Sequence, residues 1–256
     1  MRTLVCVKRV PAPGARINIT ADGQDVDAAV LGFTTSPHEE WAVEAAVQLR
    51  EAHEGDATVL TLGPELATEQ LRYAASVGMT GAVLVRRDDE LADWDPQRTA
   101  RAIVAAIREI EDADGAFDLI LFGNESADAG GFQVGVRVAH ALGRPMVNAV
   151  MGLELGADGT TITARRETDE GHEIYELPLP ACAGIKEGIN LPRYPTMKGR
   201  LASKKLDVTV VDAEAEPGGI GRVRLEPPPE QLADTVILGD GPAAAPAVVD
   251  VLAELG

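Results

Sequence analysis

Asp118-Leu119-Ile120-Leu121-Phe122-Gly123-Asn124-Glu125-Ser126-Ala127-Asp128-Ala129-Gly130-Gly131-Phe132-Gln133-Val134-Gly135 runs from an unbroken apolar stretch, through small and polar residues, into the helical spacing of Val136, Ala139 and Leu142. A short apolar run without alternation, closed by glycine, reads as a strand buried on both faces. Strand, loop and helix in that order form the repeating unit of a parallel sheet. Outward from this stretch the unit recurs: residues 3–8, 57–62 and 81–85 are β-branched or leucine-rich runs, separated by helical spacing such as Trp41, Ala45 and Leu49. Gly63-Pro64, Gly78, Gly123 and Gly143 mark most junctions. Four such units specify an α/β fold, a doubly wound and mostly parallel sheet with helices on both faces.

Ser36 precedes Pro37 and stands three residues before Glu39, which predicts a capping box with proline at the first helical position and a helix over about 37–52. The interval between the first strand and that helix is too long for a plain connection. Alternation in Arg16-Ile17-Asn18-Ile19 and the turn residues Ala21-Asp22-Gly23 predict a hairpin inserted at about 15–34. After Gly143 the period changes to two: 147–155, 160–167 and 172–177 alternate around turns at 156–159 and 169–171, so an antiparallel meander should extend the sheet. The run 190–205 is basic and rich in proline. Residues 1–213 are thus expected to form one domain, and 214–256 a Gly- and Pro-rich arm ending in a helix whose Val248, Val249, Val251, Leu252 and Leu255 need a cover, for which a partner subunit is one candidate.

Charge and composition exclude several function classes. A net charge of -18 works against nucleic acid, where clustered Lys and Arg must neutralise phosphates. The first strand turns charged at Lys8 and Arg9, so it lacks the form of a secretory signal, and no stretch approaches the roughly 18–20 apolar residues of a membrane span. The expectation is a cytoplasmic protein without membrane insertion. Cys6 and Cys182 sit singly in apolar runs and read as buried thiols. His38, His53, His140 and His172 are scattered without a paired carboxylate or cysteine spacing, which argues against a metal site or a triad. Glu39-Glu40, Glu111-Asp112 and Lys204-Lys205 are read as solvated surface charges.

Ligands of doubly wound sheets bind beyond the carboxyl ends of the strands, where the strand order reverses. The loop 123–135 is the strongest candidate. Its small residues admit a ligand to the backbone, and the following helix N-terminus offers free N–H groups to a phosphate. Glu125 and Asp128 suit ribose hydroxyls better than phosphate. A tight strand-to-helix turn that needs glycine for conformation explains the same residues equally well.

Several ordered segments together resemble the electron transfer flavoprotein beta family. They are Val5-Cys6-Val7-Lys8-Arg9-Val10-Pro11, the helix Glu40-Trp41-Ala42-Val43-Glu44-Ala45-Ala46, the unit Leu62-Gly63-Pro64 with Leu71-Arg72-Tyr73-Ala74-Ala75, the 123–135 loop with Asp128 and Gln133, and Asn190-Leu191-Pro192-Arg193-Tyr194-Pro195-Thr196-Met197-Lys198 with Lys204-Lys205. The resemblance implies a Rossmann-type, adenine-nucleotide-hydrolase-like sheet and an electron carrier without turnover of its own. It further implies a heterodimer with an alpha subunit that holds most of the FAD, flavin dehydrogenases as donors, and a quinone-linked or flavoprotein acceptor. The beta pocket would hold AMP, or a second FAD in a bifurcating member. By resemblance the nucleotide touches Cys6, Ser36, Pro37, His38, Glu39, Leu62, Gly123, Asn124, Glu125, Ser126, Ala127, Asp128, Ala129, Gly130, Gly131, Phe132, Gln133 and Val134. Met197 falls in the family's recognition loop as an apolar anchor, with Tyr194 beside it and Arg193, Lys198 and Arg200 as a charged rim. Three departures stand out: Asp128-Ala129-Gly130-Gly131 replaces an acidic run, Pro13-Gly14-Ala15 replaces an aromatic, and Leu191 replaces an acidic residue. A stand-alone adenine-nucleotide sensor on the same sheet is the rival reading.

Overall fold

The computed structural model describes residues 1–87, 94–229 and 235–255. The chain divides into two compact units, Met1–Leu225 and Glu226–Gly256. In the first, strands β1 (Arg2–Val7), β4 (Asp56–Gly63), β5 (Gly81–Arg86) and β6 (Leu119–Gly123) alternate with helices α1 (Pro37–His53), α2 (Thr68–Val77), α3 (Pro96–Asp114) and α4 (Val134–Leu142). The short strands β2 (Arg9–Pro11) and β3 (Phe33–Thr35) pair with each other. β7 (Met146–Leu155), β8 (Thr161–Thr168) and β9 (Gly171–Pro178) form the expected meander, followed by β10 (Ala181–Ile185), the short helix α5 (Met197–Ser203) and β11 (Val208–Asp212).

Among the described residues nine strands form one sheet in the order β11-β5-β4-β1-β6-β10-β7-β8-β9. Pairing is parallel from β11 through to β7 and antiparallel across β8 and β9. The doubly wound α/β class is therefore realised. Strand alternation explains the unbroken apolar runs: Val5 and Val7 of β1 face α1 and α2, with Leu71, Leu84 and Leu121 in that core. Leu4 and Cys6 face α3 and α4, with Leu60, Ile103, Ile107, Ile120 and Phe122.

The segment between β1 and α1 is less regular than a hairpin. A single antiparallel bridge, Ile19 to Val26, closes the turn, and the β2–β3 ladder closes the base. β11 was not foreseen; it pairs along β5 as an edge strand with three of its five residues exposed, so it lacks a buried apolar signature. The first unit runs on to Leu225, because the start of the arm is laced to it: Arg98 Nε donates to Ala215 O at 2.8 Å, Gly218 N to Asp95 Oδ2 at 2.6 Å and Leu225 N to Gly23 O at 2.7 Å. The second unit contains helix α6 (Ala245–Leu255), whose Val249, Leu252 and Leu255 none of the described residues of that unit covers. Residues 230–234 of the expected arm lie outside the described residues. No helix among the described residues is long and apolar enough to cross a membrane.

Candidate functional site

The chain leaves β1, builds β4 and β5 on one side, and returns to lay β6 on the other. Strand order thus reverses between β1 and β6, and the crevice beyond their carboxyl ends is where such sheets bind ligands. Three segments meet there: Lys8 after β1, the start of α1, and the loop after β6.

Close packing brings the last two together. A Cβ built on Gly123 would lie 2.7 Å from Glu39 Cγ and 3.2 Å from both Glu39 N and His38 Cβ, so only glycine lets β6 end against the first turn of α1. Ser36 is fully buried, and its hydroxyl takes Ala127 N–H at 3.2 Å and points to Glu125 O at 3.5 Å. That tie to the loop replaces the serine half of the predicted capping box: Ser36 makes no side-chain cap, while Pro37 does stand at the first helical position. Asn124 anchors the loop on the other side. Its N–H donates to Ile185 O at 2.8 Å and its Oδ1 accepts from the N–H of Ala149 at 2.9 Å, where Ala149 adopts a φ of 57°.

Glu39 departs from the reading of Glu39-Glu40 as surface charges. Only 6 % of Glu39 is exposed, and its Oε2 accepts the Lys8 N–H at 2.6 Å. Burial pushes its carboxyl up to about 8, against the opposing pull of the Lys8 N–H, the Lys8 charge and the Ser36 N–H. Glu111 departs similarly: it accepts from Phe117 N at 2.9 Å and pairs with Arg144 at 2.6 Å. His38 is likewise not without a carboxylate, since its Nε2 lies 3.9 Å from Glu125 Oε1, and its buried Nδ1 has no hydrogen-bond partner among the described residues.

Lys8 is the residue that the sequence reading missed. Its ammonium pairs with Asp128 at 2.7 Å, joining β1 to the loop across 120 positions of chain. Burial works against the Asp128 carboxylate, but the Lys8 charge and hydrogen bond, with those of Ser126 and Ala129, hold it below its usual range. Cys6 is buried one residue before the end of β1, and burial, with lesser contributions from Cys182 and Glu39, drives its thiol well up. Cys182 is pushed up to about 12 by burial. Both thiols are inert at neutral pH.

The ties of Ser36 to Ala127, of His38 to Glu125 and of Lys8 to Asp128, with the packing of Gly123 on Glu39, bring the start of α1 and the 123–128 loop together, whereas Cys6, 7 % exposed, has its side chain in the core against α3 and α4. Leu62 lies at the carboxyl end of β4 against the α3 and α4 core. Gln133 turns to Arg137, accepting at 3.0 Å, Val134 packs inward, and Phe132 is exposed with a φ of 53°. Among the described residues no group of three or more His, Cys, Asp or Glu could hold a metal ion.

The second set of candidates lies along α1. Trp41 Nε1 donates to Asn190 O at 3.0 Å and Asn190 Nδ2 returns a bond to Trp41 O at 3.0 Å. Arg193 reaches Glu44 at 2.8 Å and Glu51 at 2.8 Å. Beyond it Tyr194 is 90 % and Met197 75 % exposed, and Lys198 and Arg200 are exposed beside them.

A family model described as electron transfer flavoprotein domain matches residues 27–216. The electron transfer flavoprotein subunit beta of Mycobacterium tuberculosis (strain ATCC 25618 / H37Rv) is 37% identical over 213 residues, covering 81% of this chain and 77% of the relative. That of Bacillus subtilis (strain 168) is 32% identical over 227 residues, covering 85% and 84%. Protein FixA of Azorhizobium caulinodans is 30% identical over 215 residues, covering 84% and 76%.

Proposed function

The chain belongs to the electron transfer flavoprotein beta-subunit family, and from that premise we propose that it is the AMP-holding half of a heterodimeric electron carrier. In this reading an alpha subunit carries most of the FAD, and that flavin supplies the redox chemistry. Flavin dehydrogenases deliver the electrons, a quinone-linked or flavoprotein acceptor removes them, and the chain turns over no substrate. It works in the cytoplasm.

The observation that carries the proposal is the convergence of the α1 start and the 123–134 loop at the point where strand order reverses. The residues there suit an adenylate. Among the described residues the buried His38 Nδ1 lacks a partner and nothing stands within 4 Å of a Cβ built on Gly131, which leaves the loop backbone open to a ligand. The uncapped first turn of α4 and the backbone of Gly130 and Gly131 would receive the phosphate. Glu125 would accept from ribose hydroxyls, and Lys8 would hold Asp128 and the loop in place. The arm helix α6 would cover its apolar side chains on the alpha subunit.

The test is purification with the neighbouring alpha-like gene product, followed by mass spectrometry of the released small molecules. One FAD and one AMP per heterodimer are expected. Two FAD and no AMP would instead support a bifurcating member, and a colourless monomer that retains adenylate would support the stand-alone sensor. Asp128→Ala is expected to lower AMP retention about tenfold or more, by freeing the loop from Lys8, while the heterodimer still forms. Unchanged retention would remove Asp128 from the pocket.

A further inference from the structure

We propose that Arg193 is a positioning residue: its guanidinium clamps the 190–196 segment onto α1 and so presents Tyr194 and sets the entry of the chain into α5 at Met197. This rests on the reading of that segment as the docking loop. A charge that steers a partner must be available to it. Arg193 is not, because four of its five side-chain N–H groups are spent within the chain: Nε and Nη2 on Glu44 at 2.8 and 3.0 Å, Nη1 and Nη2 on Glu51 at 2.8 and 3.0 Å. The backbone N–H of Arg193 adds a bond to Glu44 at 3.2 Å. Glu44 and Glu51, with Arg50 also 3.7 Å from Glu51, balance the guanidinium charge within the chain.

The geometry suits a fork and nothing else. Glu44 and Glu51 are seven residues apart, two turns of α1, and only a planar group with parallel N–H pairs can meet both carboxylates edge-on. Glu44 is 4 % exposed and takes a further bond from Gln48 at 2.8 Å, so its lone pairs are filled by the chain alone. The Trp41 and Asn190 exchange fixes the other end of the segment, and Pro192 and Pro195 limit its freedom between. Met197 then starts α5, capped by Thr196; α5 itself lies on α2, where Arg72 donates to Ser203 O at 2.8 Å and Gly199 packs against Ser76 O, so the clamp governs the approach of the chain to Met197 and α2 holds the helix that follows.

The test uses the whole chain purified with its flavin-carrying partner. Hydrogen exchange is followed over 190–196, alongside reduction by a flavin dehydrogenase that reduces the wild-type complex. Arg193→Ala is expected to speed exchange of these amides about tenfold or more and to raise KM with little change in kcat. Arg193→Lys keeps the charge and loses the fork; it should leave the salt dependence of KM as in wild type but restore only part of the protection. Full restoration by lysine, or unchanged exchange in Arg193→Ala, overturns the clamp. Should Arg193→Ala fail to fold, Glu51→Gln removes half of the clamp and should give an intermediate rise in exchange; wild-type exchange there overturns it equally. Met197→Ala separates the two readings. If it leaves KM unchanged the docking assignment fails, while the exchange result still judges the clamp.

Discussion

Glu39→Gln is expected to raise the unfolding free energy at pH 8 by about 2–4 kcal/mol, and to change it by less than about 1 kcal/mol at pH 5. The reason lies in the sign of the shift. The carboxyl has its ordinary value of 4.5 in the unfolded chain and is pushed up to about 8 in the fold, so between those values the folded state holds a proton that the unfolded state has released. Stability of the wild type therefore falls as pH climbs through that window and levels off above it. A full shift at about 1.4 kcal/mol per pH unit is an upper bound, and relaxation around a buried charge reduces it. Glutamine is neutral throughout, keeps an oxygen for the Lys8 N–H, and has no such slope. Urea unfolding at pH 5, 6.5 and 8 reads the difference directly, and parallel curves for both proteins would refute the buried-acid account.

Gly123→Ala should cost about 1–3 kcal/mol and sharply reduce nucleotide retention, because the added methyl has no room. On one side β6 is held in register with β1 and β10, up to the pairing of Gly123 with Ile185. On the other stand a helix backbone nitrogen at 3.2 Å and the buried Glu39 side chain at 2.7 Å. Since the sheet cannot yield, α1 must, and Ser36 then loses its grip on Ala127. Gly131→Ala is the control: its methyl meets nothing within 4 Å, so stability should stay within about 0.5 kcal/mol of wild type. Thermal unfolding of the two variants decides the matter; equal stability would discredit the close-packing argument.

These residues also show what could be read from the sequence. The buried strands announce themselves because both faces are covered, and period-two alternation announces the meander, whose β8 and β9 are half solvated. The loop after β6 is legible through its glycines. Glu39 is not, since an acidic residue in the first turn of a helix is ordinarily solvated and favoured there by the helix dipole; only the approach of β6 and Lys8 buries it. Ser36 has the right spacing for a cap, yet its hydroxyl is claimed by residues 89 and 91 positions away. Glu44 and Arg193 are 149 positions apart, and no local pattern pairs them.

β11 completes the hydrogen-bonding edge of β5, and it is made about 120 residues later than its neighbour. At ribosomal speeds of about 5–20 residues per second, the apolar Ala82-Val83-Leu84-Val85 stretch waits on the order of ten seconds for that strand. Through that delay it is a template for self-association. Nascent chains and products truncated before Val208 are accordingly the forms of this protein most prone to aggregate, whatever the stability of the finished sheet.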